Sequence, residues 1–448
     1  MKNLLPDFFQ TLLKGKDLKS SIFKGSLGSF FIQFGNAILG FLLGVVLARL
    51  LGAESYGNYV YVYALISTLA MPTQLGLPNL LVRFVAQYQA NEEWGKLKGL
   101  IKWSNWAVFV LSITMIGGTY FVLRVLSLTT ERLSTLHWGL LLLPIIALGA
   151  LRGAALRGLR YVVLGKLPDK ILRQAFLVIM VLGYFYFFNR SIYADNAMML
   201  HVISALVVFL IGTFWLWQKL PSKVFSSDTE YLSRKWISIA IPFLLTGGMF
   251  VLNNKVDILM LGWFKSSENV GVYEITVKAS SLVAFSLLAM NAVLAPYFSK
   301  FYTEGKNKVL KKIATWGVFI SLGVSVPVAI FLSSFGYEIL SFFFGAEFAT
   351  GHVTLILLCI GQLINVGAGS IGLLLNMTGY EKLVLKGVAI STVLNIILNL
   401  FLIPNHGMEG AALATIVTFF IWNFILVYWG IKYLNVNTSI FSLKILFD

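Results

Sequence analysis

Cysteine is nearly absent: Cys359 is the single one in 448 residues, which excludes an internal disulfide and a cysteine-based metal site. Charged side chains are also scarce, at 12% of the chain, whereas 58% of the residues are hydrophobic and the mean hydropathy is +0.82. Water-soluble globular proteins do not have this balance. Apolar runs of about 20 residues, the length that crosses the hydrocarbon core of a bilayer, recur along the whole chain. The sequence therefore predicts an all-α polytopic membrane protein.

Acidic residues are outnumbered 19 to 35 by lysine and arginine, which gives a formal charge of +16. We predict about twelve transmembrane helices, at residues 27–50, 58–82, 101–126, 136–156, 171–188, 196–216, 236–261, 271–298, 313–335, 353–376, 384–403 and 410–431. Segments on the same side as the N-terminus hold 28 of the 35 basic residues, and segments on the other side hold 5. Because basic loops face the cytoplasm, we expect a multi-pass protein of the cytoplasmic (inner) membrane with both termini cytoplasmic, and no nucleic-acid partner.

The longest polar break after the sixth span divides the chain nearly in half. We therefore predict an N-terminal segment (residues 1–26), an N-lobe (27–217), a cytoplasmic linker (218–235), a C-lobe (236–431) and a cytoplasmic tail (432–448). The stretches LGAESYGNY, with Gly57, and LGWFKSSENVGVY, with Gly271, occupy corresponding positions in the two lobes. Such similarity indicates either a duplication, with two six-helix lobes in the same orientation, or a chance match between apolar sequences.

The first segment carries a further pattern, in which apolar residues recur at helical spacing among basic ones: Leu5, Phe8, Phe9 and Leu12. This spacing predicts a short amphipathic helix on the membrane surface. A frayed basic tail is the alternative.

Signals for an enzyme are weak. Gly367, Gly369 and Gly372 form a GxGxxG pattern, but they lie in an apolar span, where close helix packing explains them better than a nucleotide site. The four histidines fall on four separate loops or helix ends, which does not indicate a metal site. Every predicted outer loop is short, and this disfavours a membrane-embedded glycan polymerase. We expect a protein that is not an enzyme and has no cofactor.

Four ionisable residues lie within predicted spans seven and eight: Lys255, Asp257, Glu274 and Lys278. A charge near the bilayer centre costs about 2.5–3.5 kcal/mol on insertion scales, so such residues usually face a polar cavity. Glu274 and Lys278 are four residues apart on one helix face and are predicted to pair. Lys255 and Asp257 are two residues apart, so they cannot face one cavity together; Asp257 is expected to orient a neighbour or to bind a coupling cation. The alternative is that these charges neutralise one another and only lock two helices together.

Other polar residues in the spans are candidates for the same cavity. Span two contains Pro72 and Pro78, which predict breaks that free backbone carbonyls. The candidates are Gln33, Asn36 and Arg49 in span one, Gln74, Asn79 and Arg83 around the breaks, and Asn253 and Asn254 beside Lys255. Asn395 and Asn399 in span eleven are expected to form hydrogen bonds between helices rather than to contact a ligand. A cavity lined by lysine and arginine attracts phosphate or diphosphate, so the residues alone indicate an anion-handling transporter.

Four stretches of the chain resemble a known family: ARLLGAESYG from Ala48, LPNLLVRFVAQY from Leu77, DILMLGWF with VGVY from Asp257, and LIPNHGMEGAALAT from Leu402. They are similar to the oligosaccharide flippases of bacterial polysaccharide biosynthesis. That family belongs to the multidrug/oligosaccharidyl-lipid/polysaccharide exporter superfamily, which also contains multidrug and toxin extruders and the lipid II flippase. The resemblance covers essentially the whole chain in the right order.

The resemblance implies two six-helix lobes in a V around a central cavity and transport by alternating access. It implies movement of an undecaprenyl-diphosphate-linked oligosaccharide from the inner to the outer leaflet, for polymers such as O-antigen or lipopolysaccharide, driven by a proton or sodium gradient. Membrane lipids and other polysaccharide assembly proteins are the expected partners. The cationic vestibule of such flippases would here be formed by Lys255, Lys278, Arg49 and Arg83. A cation-coupled multidrug exporter of the same superfamily is the alternative, although the buried lysines do not favour cationic drugs.

Overall fold

A computed structural model describes residues 18–123, 130–188 and 191–440. The predicted amphipathic helix at the N-terminus lies outside these residues. The described residues are almost entirely helical and contain no strand. The helices are α1 (Leu18–Gln74), α2 (Leu77–Ala90), α3 (Trp94–Leu123), α4 (Thr130–Gly158), α5 (Val162–Leu167), α6 (Arg173–Phe188), α7 (Ala194–Lys219), α8 (Ser222–Ser226), α9 (Ser233–Phe264), α10 (Ser267–Ser280), α11 (Phe285–Thr303), α12 (Asn307–Ser334), α13 (Gly336–Phe344), α14 (His352–Ala368), α15 (Ile371–Met377) and α16 (Glu381–Leu434). A π-helical turn, Pro168–Leu172, joins α5 to α6, and a 3₁₀ turn, Ala346–Gly351, precedes α14.

Nine helices in the described part of the chain are long and apolar enough to cross a membrane, or ten if the bent pair α10–α11 forms one span. This confirms the all-helical, polytopic fold. Two of these helices are longer than a single membrane crossing requires, and each contains a non-helical glycine, Gly52 in α1 and Gly407 in α16. If each crosses twice and the bent pair α10–α11 forms one span, the described residues agree with the predicted twelve, a number that stays a prediction.

Three helix breaks differ from the sequence prediction. Pro72 lies inside α1, which continues to Gln74, and the break falls at Leu75 and Gly76, both with positive φ. Predicted span eight, 271–298, is interrupted between α10 and α11, which are bent by 50°. Predicted span ten, 353–376, breaks at Gly369, whose φ of +72° ends α14. Gly369 of the GxGxxG pattern therefore ends a helix and also permits close packing.

The chain forms two compact units. Among the described residues, the first unit holds residues 18–43, 69–123, 130–188 and 195–247, and the second holds 44–68, 191–194 and 248–440. The second unit thus contains non-helical Gly52, the part of α9 after residue 247 and all of α10, with the four ionisable residues Lys255, Asp257, Glu274 and Lys278. The lobe and linker boundaries given above stay a prediction.

The core of the first unit includes the beginning of α9. Trp236 is fully buried, its Nε1 donates a hydrogen bond to the Tyr88 hydroxyl at 3.1 Å, and its ring packs against Trp103. The surrounding core comes from α2, α3 and α4, with Leu80, Leu100 and other fully buried side chains. The beginning of α9 is therefore fixed in the first unit.

Replacing Trp236 by Ala should lower the free energy of unfolding by about 3–5 kcal/mol, because it opens a cavity where a large aromatic side chain is buried. Trp236→Phe should cost about 1–3 kcal/mol, because it removes the donor that pairs with Tyr88. Thermal unfolding in detergent measures both. Trp106→Ala is the control, since Trp106 is 67% exposed; an equal loss in that variant would contradict the prediction.

Within the second unit, the two similar stretches cross at their glycines. A Cβ on Gly57 would overlap the backbone carbonyl of Ser267 and lie 2.9 Å from the Gly271 nitrogen. A Cβ on Gly271 would overlap the carbonyl of Ala53. The helix segments that follow Gly52 and begin at Ser267 therefore touch backbone to backbone, as small residues permit in membranes. This crossing sets the position of α10 and of the lysine it carries.

Candidate functional site

Lys278 is held by an aromatic side chain and an acid in the second unit. Its Nζ donates a hydrogen bond to the Tyr56 hydroxyl at 2.8 Å and lies 3.6 Å from Glu274 Oε1. The same Nζ is 5.5 Å from the centre of the Tyr56 ring, within the range of a cation–π interaction. The Lys278 side chain is 29% exposed and that of Glu274 13%. The predicted Glu274–Lys278 pair is present, and it leaves part of the ammonium accessible.

Lys255 has an aromatic neighbour and no acidic one. Its Nζ is 6.0 Å from the centre of the Tyr63 ring. Across residues 18–123, 130–188 and 191–440, no carboxylate lies within 4.0 Å of this ammonium group. Of the two lysines Lys255 and Lys278, Lys255 is therefore the one without an acidic partner in the described residues, which makes it a candidate to bind an anion.

A row of tyrosines on α1 contacts both lysines. Tyr56 and Tyr59 stack with ring centres 6.5 Å apart, and Tyr59 and Tyr63 stack at 6.4 Å with planes only 4° apart. The first member contacts Lys278 and the last contacts Lys255. We did not predict these tyrosines as site residues, although their spacing of three and four residues places them on one helix face. The arrangement links two ammonium groups through a stack of rings.

Asp257 lies in a separate polar cluster with α16. Its Oδ1 accepts a hydrogen bond from Asn399 Nδ2 at 2.7 Å, and its Oδ2 accepts from Thr415 Oγ1 at 2.9 Å and from the Tyr273 hydroxyl at 3.0 Å. Asn399 Nδ2 also donates to Asn395 Oδ1 at 2.9 Å. Lys255 and Asp257 thus contact different helices, as their spacing requires.

One atom of this cluster has no partner. Asn399 Oδ1 is buried and accepts no hydrogen bond from the described residues. A buried acceptor left unpaired costs about 1–3 kcal/mol, so such an atom calls for an explanation. A carboxylate, two amide oxygens and a hydroxyl are the hard oxygen ligands that a small cation prefers. The composition of the cluster therefore fits a cation near Asp257 and Asn399.

The neighbouring asparagines make weaker or local contacts. Asn253 Oδ1 accepts a 3.3 Å hydrogen bond from Thr392 Oγ1, and Asn254 Nδ2 donates to the carbonyl of Phe250 in its own helix. Asn254 is exposed and Asn253 is half-buried. Their place in a cavity stays a prediction.

Arg49 is engaged with the backbone at the end of a helix. Its Nε donates to the carbonyl of Phe343 at 3.0 Å and its Nη2 to that of Phe342, both in the last turn of α13. On the other side of the Gly52 turn, Glu347 Oε2 accepts from the Ala53 amide at 2.9 Å. A cation at a helix C-terminus satisfies carbonyls that have no partner within the helix. Two of the five N–H donors of Arg49 are therefore used by the backbone, and three remain for a substrate.

The remaining candidates belong to the first unit. Gln33, Asn79 and Arg83 are exposed, and Gln74 is half-buried at the end of α1. Asn36 Oδ1 accepts a long hydrogen bond, 3.4 Å, from Gln174 Nε2. The guanidinium of Arg83 lies 5.6 Å from the Phe84 ring. These residues do not form a cluster comparable to those of Lys278 or Asp257, and their functional assignment stays a prediction.

Comparison with known proteins places the chain in a family. A family model described as polysaccharide biosynthesis protein matches residues 22–302, more than half of the chain. The chain belongs to the polysaccharide biosynthesis protein family. The resemblance given above is thereby confirmed, and the family is one of transporters rather than enzymes. A second family model, MatE, matches residues 242–401 of this family member.

Among curated relatives, a protein of Haloferax volcanii described as a probable low-salt glycan biosynthesis flippase, Agl15, is 23% identical over 406 residues, or 88% of this chain and 80% of that protein. Two solved structures show the same fold with a TM-score of 0.73. One, an inward-facing multidrug resistance MATE family transporter of the MOP superfamily, is 14% identical and covers 89% of this chain and 94% of its own. The other, the lipid II flippase MurJ in an inward closed conformation, is 16% identical and covers 94% of this chain and 91% of its own.

Proposed function

We propose that the protein flips a polyprenyl-diphosphate-linked oligosaccharide, in its undecaprenyl form as the resemblance implies, from the inner to the outer leaflet of the cytoplasmic membrane. The observation that carries the proposal is a pair of lysines, Lys255 in the membrane-spanning helix α9 and Lys278 in α10, each against a tyrosine ring. Two ammonium groups out of bulk water attract a diphosphate far more strongly than surface lysines do. Agl15, a relative over most of the chain, is described as a flippase of glycan biosynthesis, which supports the same class of cargo.

In this proposal the lysines hold the diphosphate and the prenyl tail remains in lipid. The sugar lies in the aqueous part of the path, where tyrosine rings such as Tyr63 offer apolar faces for sugar stacking. Transport proceeds by alternating access, and the product supplies polymers such as O-antigen or lipopolysaccharide through other assembly proteins.

A flipping assay tests the proposal directly. Purified protein is reconstituted in vesicles with a short-chain, fluorescent polyprenyl-diphosphate oligosaccharide, and the glycan that becomes accessible to an added glycosidase is measured with time. We expect flipping that depends on the amount of protein. Equal rates in protein-free vesicles would overturn the proposal. In cells, loss of the protein should trap the precursor on the cytoplasmic side, and chemical analysis of that precursor identifies the sugar.

A cation-coupled drug exporter is the second candidate, and the MatE match over residues 242–401 favours it. Such an exporter binds cationic drugs with uncompensated carboxylates. Here Glu274 is paired with Lys278, and Asp257 accepts three hydrogen bonds. Lys255 has no carboxylate within 4.0 Å in the described residues, which favours an anionic cargo. Ethidium efflux from overexpressing cells discriminates the two: efflux without glycan flipping would select the exporter.

We propose further that a monovalent cation binds beside Asp257 and couples transport to a sodium or proton gradient. Asp257→Asn keeps the size of the side chain and removes its charge, so gradient-stimulated flipping should fall at least about tenfold, the effect of losing one charged contact. The measurement is the flipping rate with a sodium gradient alone and with a pH gradient alone, which also identifies the ion.

The matched control is Asn405→Ala, because Asn405 is exposed and bonds only to its own helix backbone in the described contacts. It should leave gradient stimulation unchanged. If Asp257→Asn protein folds normally and responds to both gradients like the wild type, the Asp257 cluster is not the coupling site.

A further inference from the structure

The turn between α11 and α12, in the second unit, carries a basic surface that takes no part in the candidate site described above. Residues 300–312 contain five lysines and one acid, Glu304. Glu304 pairs with Lys306 at 2.7 Å and with a second lysine of this stretch at 3.9 Å. Among the residues that the structure describes, no carboxylate lies within 4.0 Å of Lys308 or Lys312. The charge of these two lysines is therefore available to a ligand from outside the protein.

Lys308 and Lys312 begin an exposed stripe on α12, a helix long and apolar enough to cross a membrane. Trp316 and Ile320 continue it at intervals of four residues, so each side chain lies next to the following one on the helix surface. Both lysines are exposed, Trp316 is 52% exposed and Ile320 is 51% exposed. Along about 12 Å of helix after Lys312, the stripe thus changes from cations to a tryptophan and then to an aliphatic side chain.

The end of α11 places a second aromatic side chain at the depth of Trp316. A Cβ on Gly317 would lie 2.7 Å from Leu294 Cδ1, which fixes the level at which the two helices meet. Tyr297 follows Leu294 by three residues and is 48% exposed, so it lies within about 3 Å of Trp316 in depth. Tryptophan and tyrosine concentrate at the boundary between lipid head groups and hydrocarbon. This boundary therefore falls near Trp316, and the two lysines lie in the head-group layer.

Other lysines on the side predicted to face the cytoplasm are used within the protein. Lys98 Nζ donates to the carbonyls of Phe225 and Ser227, both at 2.8 Å. Lys96 pairs with Glu93 at 2.7 Å. A general excess of basic residues on one side orients a membrane protein, but lysines engaged in this way have fewer donors for a lipid. Lys308 and Lys312 differ because the printed contacts of the described residues leave their ammonium groups to solvent and lipid.

A ligand that covers this stripe needs negative charge at one end and hydrocarbon at the other. Phosphate oxygens accept strong hydrogen bonds from ammonium groups, and Lys308 and Lys312 are about 5–6 Å apart at their Cβ atoms, so one phosphate can contact both. A zwitterionic lipid would bring a cation of its own towards the lysines and gain less. An acidic peptide or free phosphate would leave Trp316 and Ile320 uncovered.

We propose that the α11–α12 turn binds an anionic phospholipid of the surrounding membrane. Lys308 and Lys312 donate to its phosphate, and Trp316 packs against the upper part of its acyl chains. Each basic residue near an anionic lipid surface contributes about fivefold in affinity, so the two lysines together distinguish an anionic from a zwitterionic head group. The inference does not depend on the function proposed above.

The test is lipid binding to the full chain in detergent, measured by native mass spectrometry with phosphatidylglycerol, phosphatidylcholine and a short-chain polyprenyl diphosphate as separate probes. Phosphatidylglycerol should bind at least about tenfold more tightly than phosphatidylcholine. The double variant Lys308→Gln/Lys312→Gln should lose most of this preference, whereas Lys308→Arg/Lys312→Arg keeps the charge and should retain it. Trp316→Ala should weaken both phospholipids by a similar factor, because it removes a contact with the chains and no charge.

Lys382→Gln/Lys386→Gln is the matched control. These two lysines are also exposed and four residues apart at the beginning of a membrane-spanning helix, α16. They differ in following an acid, Glu381, and in preceding an aliphatic residue, Ile390, where α12 has a tryptophan. Their replacement should change the tightest binding of phosphatidylglycerol less than about twofold.

Three results would overturn the inference. Equal binding of the two phospholipids would show that the turn does not select a head group. An equal loss in the two lysine-to-glutamine variants would show that charge acts without a defined site. Tighter binding of the polyprenyl diphosphate with the same dependence on Lys308 and Lys312 would assign the turn to that lipid instead. Phosphatidylglycerol binding should be unchanged in the Lys255→Ala/Lys278→Ala protein, which separates this inference from the proposed function.

Discussion

Replacing Lys255 and Lys278 together by Ala is expected to abolish flipping while the protein remains folded in the membrane. A hydrogen bond from a charged group contributes about 1.5–3 kcal/mol, so losing two should slow transport at least about a hundredfold. The double variant is measured in the glycosidase-accessibility assay with thermal unfolding recorded in parallel. The variants Lys255→Arg and Lys278→Arg keep the charge and should retain part of the rate.

The Glu274–Lys278 pair allows a sharper version of this experiment. If Glu274 and Lys278 only neutralise each other, replacing the pair by Glu274→Gln with Lys278→Ala removes both charges and should preserve flipping. If Lys278 binds the diphosphate, that variant should be as inactive as Lys278→Ala alone. Lys265→Ala is the control for charge on the predicted outer side, since Lys265 donates to the carbonyl of Pro404. Normal flipping by the neutral pair would contradict a substrate role for Lys278.

The sequence was sufficient for the spans and for contacts along one helix. Hydropathy located the membrane-spanning helices, and the spacing of four residues gave the Glu274–Lys278 pair. The contacts of Lys278 with Tyr56 and of Asp257 with Asn399 and Thr415 join residues more than 140 positions apart. Periodicity carries no information about such contacts, because it describes one helix at a time.

The helix breaks show a second limit. Proline predicted the interruption of span two, but Pro72 is accommodated within α1 and Pro78 occupies the first turn of α2, where its missing N–H costs nothing. The break itself falls at Leu75 and Gly76, whose positive φ a hydropathy pattern does not reveal. Arg49 is a third case: two of its donors reach carbonyls at the end of α13, a contact that its place in a resembling motif did not reveal, and its role in a vestibule stays a prediction.

Replacing Gly57 by Leu is expected to prevent the second unit from folding. A Cβ there would overlap the Ser267 carbonyl, and because both neighbours are backbone, the two helix segments would have to separate. Separation disrupts the positions of Tyr56 and Lys278 together. We therefore expect the free energy of unfolding to fall by more than about 4 kcal/mol, which is at the high end for single substitutions. The yield of monodisperse protein in detergent and its thermal unfolding measure the effect.

Gly118→Leu is the matched control, because no heavy atom lies within 4 Å of a Cβ at Gly118 and the helix there is exposed. It should leave stability unchanged or raise it slightly, since leucine favours helix over glycine by up to about 1 kcal/mol.

Gly57→Ala and Gly271→Ala act at the same crossing, so their combined cost in stability should be smaller than the sum of the two single costs. Additive costs would show that the two glycines act independently, and normal folding of Gly57→Leu would show that the helices do not touch there. Because the crossing fixes α10, folded variants with a partial defect should lose flipping in proportion to their displacement of Lys278.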